Sequence, residues 1–156
     1  MSKLLVHPDL SGNGPVHDVT PASAGWGHVG FALYGIAAGT SVELEGTSDE
    51  ICLVLLSGSA RIIAGDLDTG MLEGRASVFD KVAPHSVYVP MKTGWRVEAG
   101  SDAELAVCRA PGIEGRLPPR LISAENMPLE TRGTGSNVHH VCNILPETEP
   151  ADSLLV

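Results

Sequence analysis

The chain has 156 residues, 43% of them hydrophobic and 19% charged, which supplies one buried core and is too apolar for a disordered chain. Its 19 acidic against 10 basic residues give a formal net charge of −9, and the basic residues are scattered, so neither nucleic acid nor an anionic membrane is expected as a partner. The apolar run at residues 51–56 is too short to cross a bilayer, and the three apolar residues between Lys3 and His7 are too few for a signal-peptide core, so a cytoplasmic location is expected.

Strand periodicity runs almost throughout. Val29, Phe31 and Leu33 alternate with Gly30, Ala32 and Tyr34, and Ala38-Gly39 turns the chain into a second strand at 41–45. A continuous apolar run at 50–56 is closed by Ser57-Gly58 and followed by 60–64, which predicts a hairpin. Further strands are predicted at 77–79, 85–89, 95–99 and 105–109, each bounded by Gly, Pro or Asp/Ser turn signals. Residues 123–127 form at most one helical turn, with Ser123 as N-cap and Pro128 as stop. Residues 112–119 and 131–137 read as loops, and 139–145 as a last strand. Short strands at about 8–12-residue spacing indicate a sandwich or barrel.

Cys52, Cys108 and Cys142 lie singly in apolar stretches without CxxC spacing, the pattern of buried structural thiols. His139 and His140 are adjacent and point to opposite faces of a strand, so they cannot chelate one ion together. His7, His17, His28 and His85 have no second ligand at a chelating spacing. Ser57, in LSGSA, lacks the strand-to-helix elbow of a nucleophile, and Gly133-Thr134-Gly135 is too short for a dinucleotide fingerprint.

Residues 89–97, VPMKTGWRV, resemble the second metal motif of a sugar-isomerase cupin. A metal-dependent cupin takes two histidines one residue apart and a nearby glutamate from a first motif, and one histidine after a Pro-and-Gly turn from a second. Here the first motif spans 39–58 and has Glu45 and Thr47 at the histidine positions, with Glu50 as the surviving carboxylate; Trp95 replaces the last histidine. One carboxylate does not hold a catalytic divalent ion, so no metal is expected in this chain. Trp95 is expected to fill the vacated barrel space, with an indole N–H that needs a partner.

The blocks VHDVTPASAGWGHVGF (16–31), EICLVLLSGSARI (50–62), VFDKVAPHSVYVP (78–90), ELAVCRAP (104–111) and HVCNILPETEPADSLLV (140–156) together resemble the N-terminal half of the 5-deoxy-glucuronate isomerase family of inositol catabolism. The resemblance runs from about Lys3 to the last residue. It implies an all-β cupin, a double-stranded β-helix or jelly-roll-like barrel, forming the first half of a bicupin related to the uronate ketol-isomerases of pectin breakdown. It implies an aldose–ketose isomerase that converts 5-deoxy-glucuronate to 2-deoxy-5-keto-gluconate, with the histidine ligands and divalent metal in the C-terminal half. Residues 1–145 are then a degenerate cupin, and 146–156 an acidic linker with the start of a strand leading to a C-terminal cupin outside this chain. No catalytic residue and no cofactor are expected here, and the chain alone is expected to be inactive.

Residues 132–137, RGTGSN, resemble the family's RGxGxN segment, but His140 stands where an arginine is expected. Two other readings stay open: a stand-alone metal-free cupin that binds a small sugar acid, and a structural or dimerisation module. The substrate-binding candidates are Arg96, Arg132 and His140. The apolar residues 153–156 lead to the expectation of a homo-oligomer.

Overall fold

The computed structural model describes residues 5–12, 14–127, 129–154 and 156. Met1, Ser2 and Lys3, Pro128 and Leu155, which figure in the sequence reading, lie outside them. The described chain forms β1 (His17–Val19), α1 (Pro21–Ala24), β2 (Gly30–Ile36), β3 (Ser41–Leu44), β4 (Asp49–Ser57), β5 (Ser59–Ala64) and β6 (Leu67–Glu73). It continues through β7 (Ser86–Val89), β8 (Trp95–Ala99), β9 (Ala103–Pro111), β10 (Arg120–Ile122), a 3-10 turn (Ala124–Asn126), β11 (Leu129–Arg132) and β12 (His139–Cys142). The strands build a six-stranded sheet ordered β1-β2-β9-β4-β7-β10 and a four-stranded sheet ordered β3-β8-β5-β6, with β11 and β12 as a separate hairpin. Every pairing is antiparallel. This is the expected all-β cupin barrel.

The hairpin expected from residues 50–64 does not form: β4 pairs with β7 and β9, whereas β5 pairs with β6 and β8. Between them stands one residue, Gly58, at φ 82°. A β-carbon there would lie 2.2 Å from the Asp102 carbonyl oxygen, so only glycine makes this corner from one sheet to the other. VPMKTGWRV crosses between the sheets in the same way, from β7 to β8. Lys92 takes φ 64° in its turn and donates its amide to the Thr47 carbonyl at 2.6 Å.

Residues 77–79 form a turn in place of the expected strand, because their amides find local partners. Ser77 N donates to Asp80 Oδ2 at 3.0 Å and Phe79 N to Ser77 Oγ at 3.2 Å, leaving Phe79 exposed. The strand that follows β5 is instead β6, reached through Gly65-Asp66. The short helix α1 was not expected either; its capping box joins Ser23 N to Thr20 Oγ1 (3.1 Å) and Thr20 N to Ser23 Oγ (2.9 Å). The turn under Ser123 is present as expected.

Alternation along β4 supplies two cores from one strand. Ile51, Leu53 and Leu55 face the barrel interior, where they meet Tyr34, Ile62, Val87, Trp95, Val97 and Leu105. Cys52 and Val54 face the other way and pack with Tyr88, Ile144, Leu145 and Leu154. Burying each large aliphatic side chain contributes about 1.5–3 kcal/mol. In β2 the inward set is Gly30, Ala32, Tyr34 and Ile36, so the bulkier Phe31 and Leu33 lie on the other face.

Residues 143–154 and Val156 fold back over the outer face of the larger sheet. Val156 N donates to the Leu145 carbonyl at 3.1 Å, and Ile144 N to that of Val156 at 2.9 Å. Asp152 Oδ2 accepts from the amides of Ile113, Glu114 and Gly115 at 3.1, 3.0 and 2.8 Å. Gly115 foremost among these amides holds the Asp152 carboxyl below its ordinary range, against the opposing effect of burial. No helix among the described residues is long and apolar enough to cross a membrane.

Candidate functional site

One end of the barrel is open, and strand register decides what lines it. Across the larger sheet Gly30, Arg109, Ile51 and Val89 form one row; across the smaller, Leu44, Trp95 and Ala64 form another. Both rows face inward at the same end. They border a cavity of ≈ 500 Å³ whose walls include Tyr34, Glu45, Thr47, Asp49, Trp95 and Arg109. The turn that precedes Trp95 packs on the 45–48 segment: a β-carbon on Gly46 would lie 2.2 Å from the Lys92 carbonyl carbon. Trp95, Glu45 and Thr47, predicted as the degenerate positions of one metal site, are therefore neighbours around one cavity.

Trp95 is 2% exposed, and its indole nitrogen has no hydrogen-bond partner among the described residues. Arg109 lies over Gly30, where an added β-carbon would approach its Nε to 3.2 Å. Its Nη2 is paired with Asp18 of β1, and its Nε has no partner among the described residues. Burial pushes the Tyr34 hydroxyl up from its ordinary pKa; Arg109 opposes the shift and Asp18 adds to it.

Glu50, counted with the metal motif, is not at this site. It precedes Ile51 and so points to the opposite face of β4, where it is fully buried. Its Oε2 accepts from the Tyr88 hydroxyl at 2.8 Å and the Asp152 amide at 2.8 Å. Its Oε1 accepts from the amides of Ser153 and Leu154 and from Ser153 Oγ. Beside it, Arg120 lies 4.9 Å from the Tyr88 ring centroid and donates to the Pro150 carbonyl. Glu50 thus fastens residues 152–154 to the barrel wall.

The sequence-derived anion partners are also elsewhere. Arg96 lies on the outer face of β8, bound to Glu98 at 2.9 Å and Glu43 at 3.2 Å. Arg132 and His140 sit on the exposed β11–β12 hairpin, Arg132 paired with Glu130 at 2.7 Å and His140 Nδ1 lying 3.2 Å from Thr131 Oγ1. None of the three lines the cavity. Arg109, Tyr34 and Asp49 were missed, although Arg109 falls in phase with Leu105 and Val107 along β9.

A divalent ion does not fit the residues at the mouth. Tryptophan is no ligand, Thr47 is a weak one, Glu50 faces away, and the carboxylates Glu45 and Asp49 are joined by no histidine or cysteine among the residues lining the cavity. Among the described residues no three His, Cys, Asp or Glu side chains gather in a group that could hold an ion.

Residues 4–156 match the KduI/IolB family. The chain belongs to that family. It is 47% identical to 5-deoxy-glucuronate isomerase of Geobacillus kaustophilus and 44% identical to that of Geobacillus thermodenitrificans, covering 100% of this chain but 56% and 57% of those proteins. The chain therefore spans about half the length of the curated relatives it matches. Among solved structures, an IolB-like protein from Salmonella typhimurium LT2 superposes with a TM-score of 0.88 at 43% identity, over 94% of this chain and 55% of that one. A family member with this fold accounts for the barrel.

Proposed function

We propose that this chain is the N-terminal, non-catalytic cupin of a 5-deoxy-glucuronate isomerase, working in the cytoplasm on a small sugar acid. The observation that carries the proposal is the match to isomerases about half of whose length it covers, joined to a barrel mouth without a ligand set for an ion. Converting an open-chain aldose acid to a ketose moves hydrogen between adjacent carbons, which takes an electrophile to polarise the oxygens and a base to carry the proton. In this reading the remaining length of the isomerase carries the divalent metal that supplies the electrophile. The residues of this chain act as scaffold, with Glu50 and Asp152 holding residues 152–154 in a fixed place.

The test is an isomerase assay on the purified 156-residue chain with 5-deoxy-glucuronate and added manganese, zinc or iron, beside a full-length relative. Activity in the relative and none in the chain is expected. Turnover by the chain alone, or one bound divalent ion per chain in elemental analysis, overturns the proposal. Self-association belongs to the same reading, supported by the apolar Val29 and Ile113, both exposed and lining one surface cavity. A monomer in sedimentation at high concentration removes that part.

A further inference from the structure

We propose that the mouth of this metal-free barrel is a binding site for a neutral polyhydroxylated molecule of monosaccharide size. Three observations carry it. The first is shape and floor. The cavity of ≈ 500 Å³ has an indole and a phenol in its wall together with the aliphatic Ile51 and Val107. Aromatic and aliphatic faces of this kind pack against the C–H face of a sugar or cyclitol ring, and the volume lies within the range of small-ligand sites.

The second is unmet hydrogen-bonding capacity. Both Trp95 Nε1 and Arg109 Nε are buried N–H donors without an acceptor among the described residues, and both residues line the cavity. Buried donors are nearly always paired; both nitrogens are covered by their neighbours, so they reach an acceptor oxygen in the cavity when their side chains turn towards it.

The third is charge, and it selects a neutral ligand over an acid. Asp18 already pairs with Arg109, and Glu43 with Arg96. Glu45 and Asp49 line the same cavity with no cationic partner among the described residues. The mouth is therefore net negative. It repels a carboxylate while offering two acceptors for ligand hydroxyl protons. A polyol uses both halves of this wall, its hydroxyls donating to Glu45 and Asp49 and its oxygens accepting from Trp95 and Arg109 once these side chains turn towards it. The inference stands apart from the isomerase reading, since it concerns binding without turnover.

The test exploits the two tryptophans of the chain, Trp26 and Trp95. In a Trp26→Phe variant Trp95 is the sole tryptophan, and its fluorescence is followed on titration with glucose, galactose and mannose, and separately with glucuronate. At least one neutral hexose is expected to give a saturable change with a dissociation constant on the order of 1–10 mM, typical of a small polar ligand. Glucuronate is expected to bind at least about fivefold more weakly. Asp49→Asn and Glu45→Gln, checked for folding by circular dichroism, should each weaken hexose binding about tenfold and narrow the gap to glucuronate. No saturable response to any neutral hexose up to about 100 mM overturns the site. Glucuronate binding as tightly as the hexoses overturns its neutral specificity.

Discussion

Replacing Glu50 by glutamine keeps the shape of the side chain and changes the sign of one of its ends. All five of its partners donate: Tyr88 and the Asp152 amide to one oxygen, Ser153 twice and the Leu154 amide to the other. In Glu50→Gln one end becomes an amide donor. If that end meets Tyr88, the hydroxyl can rotate to accept, but the Asp152 N–H cannot and is left unpaired, at a cost of about 1–3 kcal/mol. The three bonds at the retained oxygen weaken from charge-assisted to neutral strength, losing about 0.5–1 kcal/mol each. Relief of the buried charge returns part of this. The net destabilisation is expected to be about 2–4 kcal/mol, or a fall in Tm of roughly 5–12 °C for a chain of this size. Thermal melting measures the total, and amide hydrogen exchange at residues 152–154 locates it. A variant within about 0.5 kcal/mol of the parent, with those amides still protected, refutes the reasoning.

Three further outcomes follow from the same geometry. Gly58→Ala should destabilise by at least about 3 kcal/mol in chemical denaturation, because it adds left-handed strain to a collision with the Asp102 carbonyl; a neutral effect would mean that the corner opens freely. Asp152 is held below its ordinary pKa, so its stabilising effect is complete above the unfolded carboxylate range, about pH 4, and is lost as pH falls through the lower folded value. Acid titration of the Asp152→Asn variant should then show a shallower loss of stability below about pH 4 than the parent. Burial pushes the Cys52 thiol well up, with the neighbouring Cys108 adding to the shift, so maleimide or iodoacetamide should leave Cys52 unmodified until the protein is unfolded; labelling of the native chain at Cys52, read by peptide mass, contradicts its burial.

Much of the barrel was legible because its strands carry their own signal. The run from Ile51 to Leu56 is apolar on both faces since both are covered, as in the middle of β9, and β8 alternates cleanly. β6 was not, because Asp68 and Gly70 are poor strand formers in its middle. It is held from outside, by the Arg61–Asp68 pair and by Ile62 N donating to Thr69 Oγ1 at 3.0 Å. The hairpin expected at Ser57-Gly58 failed for a related reason: a turn signal shows that the chain bends, while the side of the bend on which it pairs depends on the sheet behind it. At the candidate site Trp95, Glu45 and Thr47 line one cavity while Glu50 faces away from it, because a shift of one residue exchanges the two faces of a strand. Arg109 was hidden because a charged residue at the end of an apolar strand reads as its polar boundary, whereas here Asp18 and the bare Gly30 let it turn inward.

The clasp at Glu50 also has an order in time. Its amide donors lie 102, 103 and 104 residues further along the chain. During synthesis β4 is made long before them, so a central strand of the larger sheet carries an acid whose three backbone partners do not yet exist. Closing so distant a contact comes after the local pairings in sequence separation and in entropy cost. The nascent barrel therefore holds its most polar buried group unfinished, and the arrival of residues 152–154 is the step that completes it.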